Sequence, residues 1–272
     1  HRATGIPEGT RVIVGTADAP AEAVAAGVID QGSVMAMYGS SGFFIRVGDT
    51  LVTDHTLWAA PFVFPGTFVL AAGVATSGTA TRWIAEVLDI VGNTDQQTFA
   101  ALIGLAEQAT PGCRGLLALP HFSGERTPFH DPQSRAAFVG LGLSHGRPEL
   151  ARGVIEGVAH ATAAALAAYG KAGAPVRRVA AIGGGTKNDI LLRSVSAIAG
   201  VTQTVVDSDG AALGDAALAA LAVGAVDSRA QLAAWARIRE VVDPDPALSD
   251  VLVPDHAKFL ALYSALCQWR AR

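Results

Sequence analysis

The sequence predicts an α/β fold in which helices pack closely on a β-sheet. The clearest indication comes from residues 178–200, where a β-branched and alanine run at 179–182 is followed by three glycines. Asn188 or Asp189 can then cap a helix in which apolar residues recur at helical spacing, and Gly200 ends it. A strand, a turn of small residues and a helix follow one another again at 67–90. Alanine and glycine are abundant throughout the chain, which favours helices packed tightly on sheets.

The composition argues against several classes of function. The chain has 272 residues, half of them hydrophobic, and a formal net charge of −4. It has no arginine cluster or basic stripe, so we expect no nucleic-acid partner. It has no run of about eighteen apolar residues, so we expect no membrane partner and a cytoplasmic location. The two cysteines, Cys113 and Cys267, lie far apart, which favours a reducing compartment and predicts no zinc site.

The first predicted unit is a strand at 11–14, a turn, and an alanine-rich helix at 19–26. The turn ends at Asp18, which therefore stands between a strand and a helix. Aspartate in this place is typical of a helix N-cap, whose carboxylate accepts backbone N–H groups. A carboxylate exposed in a cleft at the end of a strand also suits removal of a proton from a hydroxyl. The residues alone leave both interpretations open.

The next unit is a predicted hairpin. Strands at 33–38 and 43–47 are joined by residues 39–42, Gly-Ser-Ser-Gly, a spacing that predicts a four-residue turn. Such a turn needs no ligand. The amides and hydroxyls of Ser40 and Ser41 would also form a clamp for a phosphate group.

A second anion site is predicted at the start of the helix at 79–90. The strand at 67–72 leads through small residues to Ser77 and Gly78 at this helix N-terminus. A helix N-terminus carries partial positive charge and unpaired amides, which attract anions. The alternative is that the Ser77 hydroxyl simply caps the helix.

The remaining elements follow from the same signals. Residues 49–66 and 121–140 are predicted to be irregular, the second held by prolines and by local pairs among its Glu, Arg and Asp side chains. Strands are predicted at 115–119 and 203–206, and helices at 98–108, 148–169, 210–226 and 254–272. Gly214 lies inside one of these helices, where glycine costs about 1 kcal/mol relative to alanine. We therefore expect another element to approach it closely.

The glycine turn at 183–185 has three interpretations. It can be a tight turn without a ligand. It can be a dinucleotide-binding fingerprint, with Gly183 and Gly185 as its first two glycines and Asp207 as the acidic residue, although Asn188 occupies the third glycine position. It can also be the adenine-binding turn of a sugar kinase.

Four segments, around Asp18, Ser40, Gly124 and Gly183, resemble in this order motifs of the FGGY carbohydrate kinases, the family of xylulokinase, ribulokinase and glycerol kinase. The resemblance implies an actin-like, ribonuclease-H-like fold, which is a mixed sheet flanked by helices. It implies ATP and Mg²⁺ as cofactors, and transfer of the γ-phosphoryl group to a hydroxyl of a sugar or polyol, with a xylulose-like pentulose favoured. The site residues it implies are Asp18 as general base, Ser40, Ser41 and Gly78 for the phosphates, and Gly183, Gly184 and Asn188 for the adenosine.

The chain also departs from the family pattern. FGGY kinases have two domains, and the first opens with an Asp-x-Gly-Thr phosphate loop that is not found here. We therefore expect residues 1–32 to end an N-terminal kinase domain and residues 33–272 to form the C-terminal, nucleotide-binding domain. The chain alone is then expected to lack much of the sugar site. No magnesium ligand is assigned.

Two alternatives and one question of assembly stay open. The chain can be a nucleotide-binding or regulatory module of the same fold without turnover. It can instead be a dinucleotide-dependent oxidoreductase. The expected partners are a small sugar or polyol and the N-terminal kinase domain, and a homodimer is left open.

Overall fold

A computed structural model describes residues 2–207 and 210–271; His1 and Arg272, the ends of the predicted terminal segments, lie outside them. The strands are β1 (Ser33–Tyr38), β2 (Gly42–Gly48), β3 (Trp58–Pro61), β4 (Phe68–Val74), β5 (Leu117–Leu119), β6 (Ala137–Val139), β7 (Arg178–Ile182), β8 (Gln203–Asp207) and β9 (Arg237–Val242). The helices are α1 (Asp18–Ala25), α2 (Gly78–Val87), α3 (Asp95–Ala106), α4 (Arg147–Lys171), α5 (Asp189–Ala199), α6 (Ala211–Val223), α7 (Arg229–Ala233) and α8 (Pro246–Arg270). None of these helices combines the length and the apolar character needed to cross a bilayer.

Within the described residues, seven strands form one mixed sheet in the order β3-β4-β2-β1-β7-β8-β9, and β5 pairs separately with β6. β7 runs parallel to both β1 and β8, whereas the pairs β1–β2, β2–β4, β3–β4 and β8–β9 are antiparallel. Because β1, β7 and β8 point the same way, the turns that follow them lie at one edge of the sheet. The predicted mixed sheet is therefore confirmed, and the hairpin turn and the glycine turn come to the same edge.

Helices cover both faces of the sheet. α2, α3, α4, α5 and α8 contribute to the core on one face, and α1, α6 and α7 to the core on the other. Side chains of β1 alternate between the two cores, Val34 and Ala36 in the first and Met35 in the second. α4 lies close against β5, since a Cβ at Gly157 would be 2.5 Å from the Ala118 carbonyl oxygen.

α1 packs on α6 at Gly214, a glycine in the interior of α6. Gly214 is buried, and a Cβ there would lie 1.8 Å from the carbonyl oxygen of Ala21 in α1. The expected close approach is therefore confirmed. Although α1 falls within the residues predicted to end a preceding domain, it packs on α6 in the same layer.

The strand predicted at 11–14 is not formed. These residues have no regular secondary structure, and the side chains of Val12 and Val14 are 93% and 98% exposed. A strand needs a neighbour that completes its ladder of hydrogen bonds, and no described strand pairs with this segment. Conversely, residues 49–66 are predicted to be irregular but contain β3, a strand at the edge of the sheet. β6, α7 and β9 likewise occur where no element is predicted.

The loop at 121–140 is held locally by two backbone hydrogen bonds between Glu125 and Asp131, both 2.9 Å, and also by partners distant in sequence that were not predicted. The buried Glu125 carboxylate accepts hydrogen bonds from the Ala75 amide and from the amide of the residue that follows it, both at 2.7 Å. Asp131 forms an ion pair with Arg270 near the end of α8, with Nη1 3.3 Å from Oδ1. The side chains alone do not reveal these partners, because the fold brings them together across many residues.

We expect Asp131→Asn to lower stability at neutral pH and to matter less in acid. The hydrogen bond from Arg270 lowers the pKa of Asp131 to about 2, whereas an unfolded aspartate titrates near about 3.9. The contribution of the ion pair is therefore present above about pH 4 and is lost as the pH falls towards 2. Thermal melts should show a deficit of about 1–3 kcal/mol at pH 7 that shrinks below about pH 4. A deficit that does not change with pH would contradict this expectation.

Candidate functional site

A cavity of about 740 Å³ opens where the turns after β1 and β7 meet α2 and α3. The turns and the start of α2 contribute Tyr38, Gly39, Ser40, Gly78, Thr79, Gly184, Gly185 and Lys187. The rest of α2, α3 and the segment between them contribute residues that include Arg82, Glu86, Ile90, Asp95, Phe99 and Leu102. Of the predicted residues, Ser40, Gly78 and Gly184 share this cavity, while Ser41, Gly183 and Asn188 lie outside its lining. A concave site with apolar walls and a few polar groups is typical of small-molecule binding.

The hairpin turn after β1 offers hydrogen-bond donors. The Gly39 amide donates to the Ser41 carbonyl at 3.0 Å and closes the turn. Within the described residues, the amides and hydroxyls of Ser40 and Ser41 make no hydrogen bond. Ser40 is exposed and Ser41 is half-buried. Successive unpaired donors at a tight turn form a concavity that suits a phosphate group.

The start of α2 is fastened to this turn. The amide of Gly78 donates to the Gly39 carbonyl at 2.9 Å, and the amides of Ser77 and Thr79 donate to the Ser40 carbonyl at 2.9 and 3.1 Å. A Cβ at Gly78 would lie 2.9 Å from the Gly39 carbonyl oxygen. The Ser77 side chain forms no cap. The amides expected to bind an anion are thus used to hold the hairpin turn in place, and the role of Gly78 beside a phosphate stays a prediction.

The three glycines after β7 have two different surroundings. Gly183 has a φ of +91°, and a Cβ there would lie 2.8 Å from the Tyr38 carbonyl oxygen. A Cβ at Gly185 would lie 2.7 Å from the Tyr38 Cβ. Around Gly184, no atom of the described part of the chain, apart from the adjoining residues, comes within 4 Å of the Cβ position. Gly183 and Gly185 therefore let the turn pack on β1, and Gly184 presents open backbone to the cavity.

Asn188 caps α5. Its Oδ1 accepts a hydrogen bond from the Leu191 amide at 3.1 Å, as predicted for one of two candidate caps, and Gly200 ends the helix with a φ of +64°. The side chain is buried, and its Nδ2 has no hydrogen-bond partner within the described residues. A buried amide donor without a partner is uncommon in proteins. The structure therefore leaves this donor buried and unpaired among the described residues, outside the cavity lining.

Arg239 of β9 holds the glycine turn through Thr186. The sequence analysis did not identify this arginine. Its Nη2 donates to the Thr186 carbonyl at 3.0 Å and to the Thr186 hydroxyl at 3.2 Å, and its Nη1 lies 3.2 Å from Asp207 Oδ1. The β8–β9 register shifts between Val205 and Val206, a bulge of the kind that redirects side chains. Asp207 thus forms an exposed ion pair with Arg239. Asn188, which occupies the third glycine position, caps α5, and this weighs against the dinucleotide fingerprint.

Asp18 lies apart from the cavity. It is the first residue of α1 rather than its N-cap, which is Ala17, and its exposed carboxylate accepts a hydrogen bond from the Ala19 amide at 2.8 Å. Asp215 of α6 approaches the same turn, accepting from the Thr16 amide at 3.4 Å. α1 and the α2–α3 pair lie on opposite faces of the sheet. The described residues therefore place two carboxylates at this turn, both outside the cavity that contains Ser40.

A buried acid and a buried histidine support the strand that leads into α2. The Glu125 carboxylate, which holds the Ala75 amide, has a pKa raised to about 7 by burial. Burial lowers the pKa of His121 to about 4, and its Nε2 lies 3.5 Å from Glu125 Oε2. Both shifts favour neutral groups. Glu125, which lies against His121, therefore supports the backbone at Ala75, three residues before Gly78.

Comparison with known proteins agrees with this geometry. The model of the FGGY family of carbohydrate kinases, C-terminal domain, matches residues 34–223. Xylulose kinase of Staphylococcus epidermidis is 27% identical over 98% of this chain and 54% of that protein. Gluconokinase of Bacillus subtilis is 26% identical over 82% of this chain and 45% of that protein.

A solved structure is similar over the whole length. The crystal structure of xylulose kinase from Rhodospirillum rubrum superimposes with a TM-score of 0.91 at 30% sequence identity, covering 100% of this chain and 55% of that one. The chain thus spans about half the length of the relatives it matches. The fold is the actin-like, ribonuclease-H-like fold that the motifs implied. The chain belongs to the FGGY family of carbohydrate kinases, and residues 34–223 match its C-terminal domain.

Proposed function

We propose that this chain binds ATP in the cavity and supplies the nucleotide-binding half of a kinase that phosphorylates a hydroxyl of a sugar or polyol. One observation carries the proposal: a single cavity joins the open backbone of Gly184 to the unpaired donors of Ser40. A nucleoside needs backbone that can be approached closely, and a phosphate needs N–H and O–H donors. Membership of a family of carbohydrate kinases supports the same activity.

The predicted site residues have different roles in this proposal, and Gly183 shapes the turn beside the adenosine. Ser40 and Ser41 hold the terminal phosphates through amides and hydroxyls that have no other partner among residues 2–207 and 210–271. Gly78 keeps the start of α2 close to that turn. Gly184 faces the nucleoside, and the unpaired Nδ2 of Asn188 is the donor for an acceptor on the adenosine.

The acceptor that we propose is a xylulose-like pentulose, because xylulose kinases are among the similar proteins. Asp18 is proposed as the general base, since its exposed carboxylate stands at the start of a helix with one short local bond. Residues 1–32 are proposed to end an N-terminal kinase domain and 33–272 to form the C-terminal domain. A partner domain that supplies the remaining sugar contacts fits a chain of about half the relatives' length.

Mg²⁺ is proposed to accompany ATP. Among residues 2–207 and 210–271, no group of three or more His, Cys, Asp or Glu side chains could hold a metal ion. Mg²⁺ often keeps several waters and takes substrate phosphates as ligands, so it needs few protein groups. It would offset phosphate charge during transfer. The chain itself contributes the donors of Ser40 and Ser41, which orient the terminal phosphates.

Titration calorimetry with ATP and with NAD, in the presence of Mg²⁺, tests the proposal directly. We expect ATP to bind and NAD to bind much more weakly, because Asn188 occupies the third glycine position of the dinucleotide fingerprint. Tighter binding of NAD than of ATP would favour an oxidoreductase. Absence of ATP binding would overturn the proposal that this chain carries the nucleotide site.

We expect Gly184→Val to weaken ATP binding by roughly tenfold or more without loss of fold. The new side chain enters the cavity, where no protein atom opposes it, and occupies the space proposed for the nucleoside. The matched control is Gly170→Val, which adds the same side chain at an exposed position with no atom within 4 Å. Titration calorimetry measures ATP binding, and a thermal melt measures whether the variant keeps its fold. If Gly184→Val folds and binds ATP as the parent does, the nucleoside lies elsewhere.

A further inference from the structure

One positive charge on the cavity wall has no assigned role. Lys187 is one of three lysines in the chain and ends the short 3₁₀ turn Gly184–Lys187. It is exposed and lines the cavity. Within the described residues, its ammonium group forms no hydrogen bond and no ion pair. A lysine in a site often serves as a mobile point charge on a flexible stem.

The other charges of the cavity do not replace it. Arg82 lines the same cavity, but its Nη2 lies 2.9 Å from Asp95 Oδ2 in an exposed ion pair, so that a carboxylate of the same wall already competes for its charge. Glu86 adds a further negative charge to the wall. A polyphosphate that enters this cavity therefore meets acidic groups and one cation that has no partner among the described residues.

The backbone also places Lys187 near the proposed phosphate clamp. The turn that carries it packs on Tyr38, since a Cβ at Gly185 would lie 2.7 Å from the Tyr38 Cβ. Tyr38 directly precedes the hairpin turn with Ser40. Gly184, Lys187 and Ser40 line one cavity. A nucleotide that spans from Gly184 to Ser40 would therefore pass along a wall that includes Lys187.

We propose that Lys187 is a phosphate-binding residue, whose ammonium pairs with phosphate oxygens of the bound nucleotide and not with its nucleoside. This inference rests on the proposed ATP binding. A charge-assisted hydrogen bond from an ammonium to a phosphate is stronger than a neutral one. The contribution of Lys187 to nucleotide affinity should therefore grow with the number of phosphates on the ligand.

The test is calorimetry of the parent chain and of Lys187→Met with adenosine, AMP, ADP and ATP, each with Mg²⁺. We expect Lys187→Met to weaken ADP and ATP binding by roughly tenfold to a hundredfold, while adenosine binding changes by less than about twofold. Lys187→Arg retains the charge and should recover part of the loss. The matched control, Lys258→Met, removes a lysine that pairs with Asp255 on α8 and should bind all four ligands as the parent does. Raising the salt concentration should weaken ATP binding more in the parent than in Lys187→Met.

Three outcomes count against the inference, and they are distinguishable. If the parent binds adenosine and ATP, and Lys187→Met binds ATP equally well, the inference is wrong and the proposed function stands. If Lys187→Met loses adenosine and ATP to the same extent, the residue shapes the turn and does not bind phosphate. If the parent binds neither ligand, the proposed function fails and the inference fails with it.

Discussion

Replacing Asp18 with asparagine is expected to lower kcat for sugar phosphorylation by about 10²–10⁴-fold while leaving the fold and ATP binding intact. The structure shows Asp18 accepting a hydrogen bond from the Ala19 amide, and an asparagine oxygen can accept the same bond. An amide cannot take the proton of the attacking hydroxyl, so the loss should appear in kcat. The measurement is steady-state kinetics of a polypeptide that carries an N-terminal FGGY kinase domain ahead of this chain.

The neighbouring carboxylate provides the matched control for this experiment. Asp215 accepts the Thr16 amide, and Asp215→Asn keeps an oxygen for that bond. We therefore expect a loss in kcat of less than about tenfold, which corresponds to roughly 1 kcal/mol of altered positioning. If Asp215→Asn loses far more activity than Asp18→Asn, the base is Asp215. If neither variant loses activity, both carboxylates only organise the turn.

Replacing Gly214 with alanine is expected to destabilise the chain by about 3 kcal/mol, at the upper end of the usual cost of overpacking. The added methyl group would lie 1.8 Å from the Ala21 carbonyl oxygen, and the contact is with backbone of α1, which cannot move aside as a side chain can. α1 and α6 would have to separate. Chemical denaturation of the parent and the variant measures the difference.

The control for Gly214→Ala is a second glycine-to-alanine change, which is expected to increase stability. Gly104 is an exposed glycine of α3 with no atom within 4 Å of its Cβ position. Alanine favours a helix over glycine by about 1 kcal/mol, so Gly104→Ala should stabilise the chain by about that amount. If Gly214→Ala is as stable as the parent while Gly104→Ala behaves as expected, α1 does not pack on α6 in the way described.

Local signals in the sequence predicted the parts of the site that lie within a few residues of one another. Residues 178–200 show this best, because Asn188 caps α5 through an amide three residues on and Gly200 ends the helix in the left-handed conformation. The hairpin of β1 and β2 was predicted for the same reason, since its turn residues lie between the strands that they join. Such features depend on backbone conformation and on contacts within one turn of helix.

The sequence by itself also indicated that something must approach Gly214 and which family the chain resembles. It did not show that the approaching group is the Ala21 carbonyl, that Arg239 holds the glycine turn, or that residues 11–14 lack a strand partner. These are contacts between segments far apart in the chain. Their geometry is set by helix packing and sheet pairing, which follow from burying apolar surface across the whole fold. A residue's neighbours in sequence do not carry that information, so only the tertiary structure decided which groups meet at the cavity.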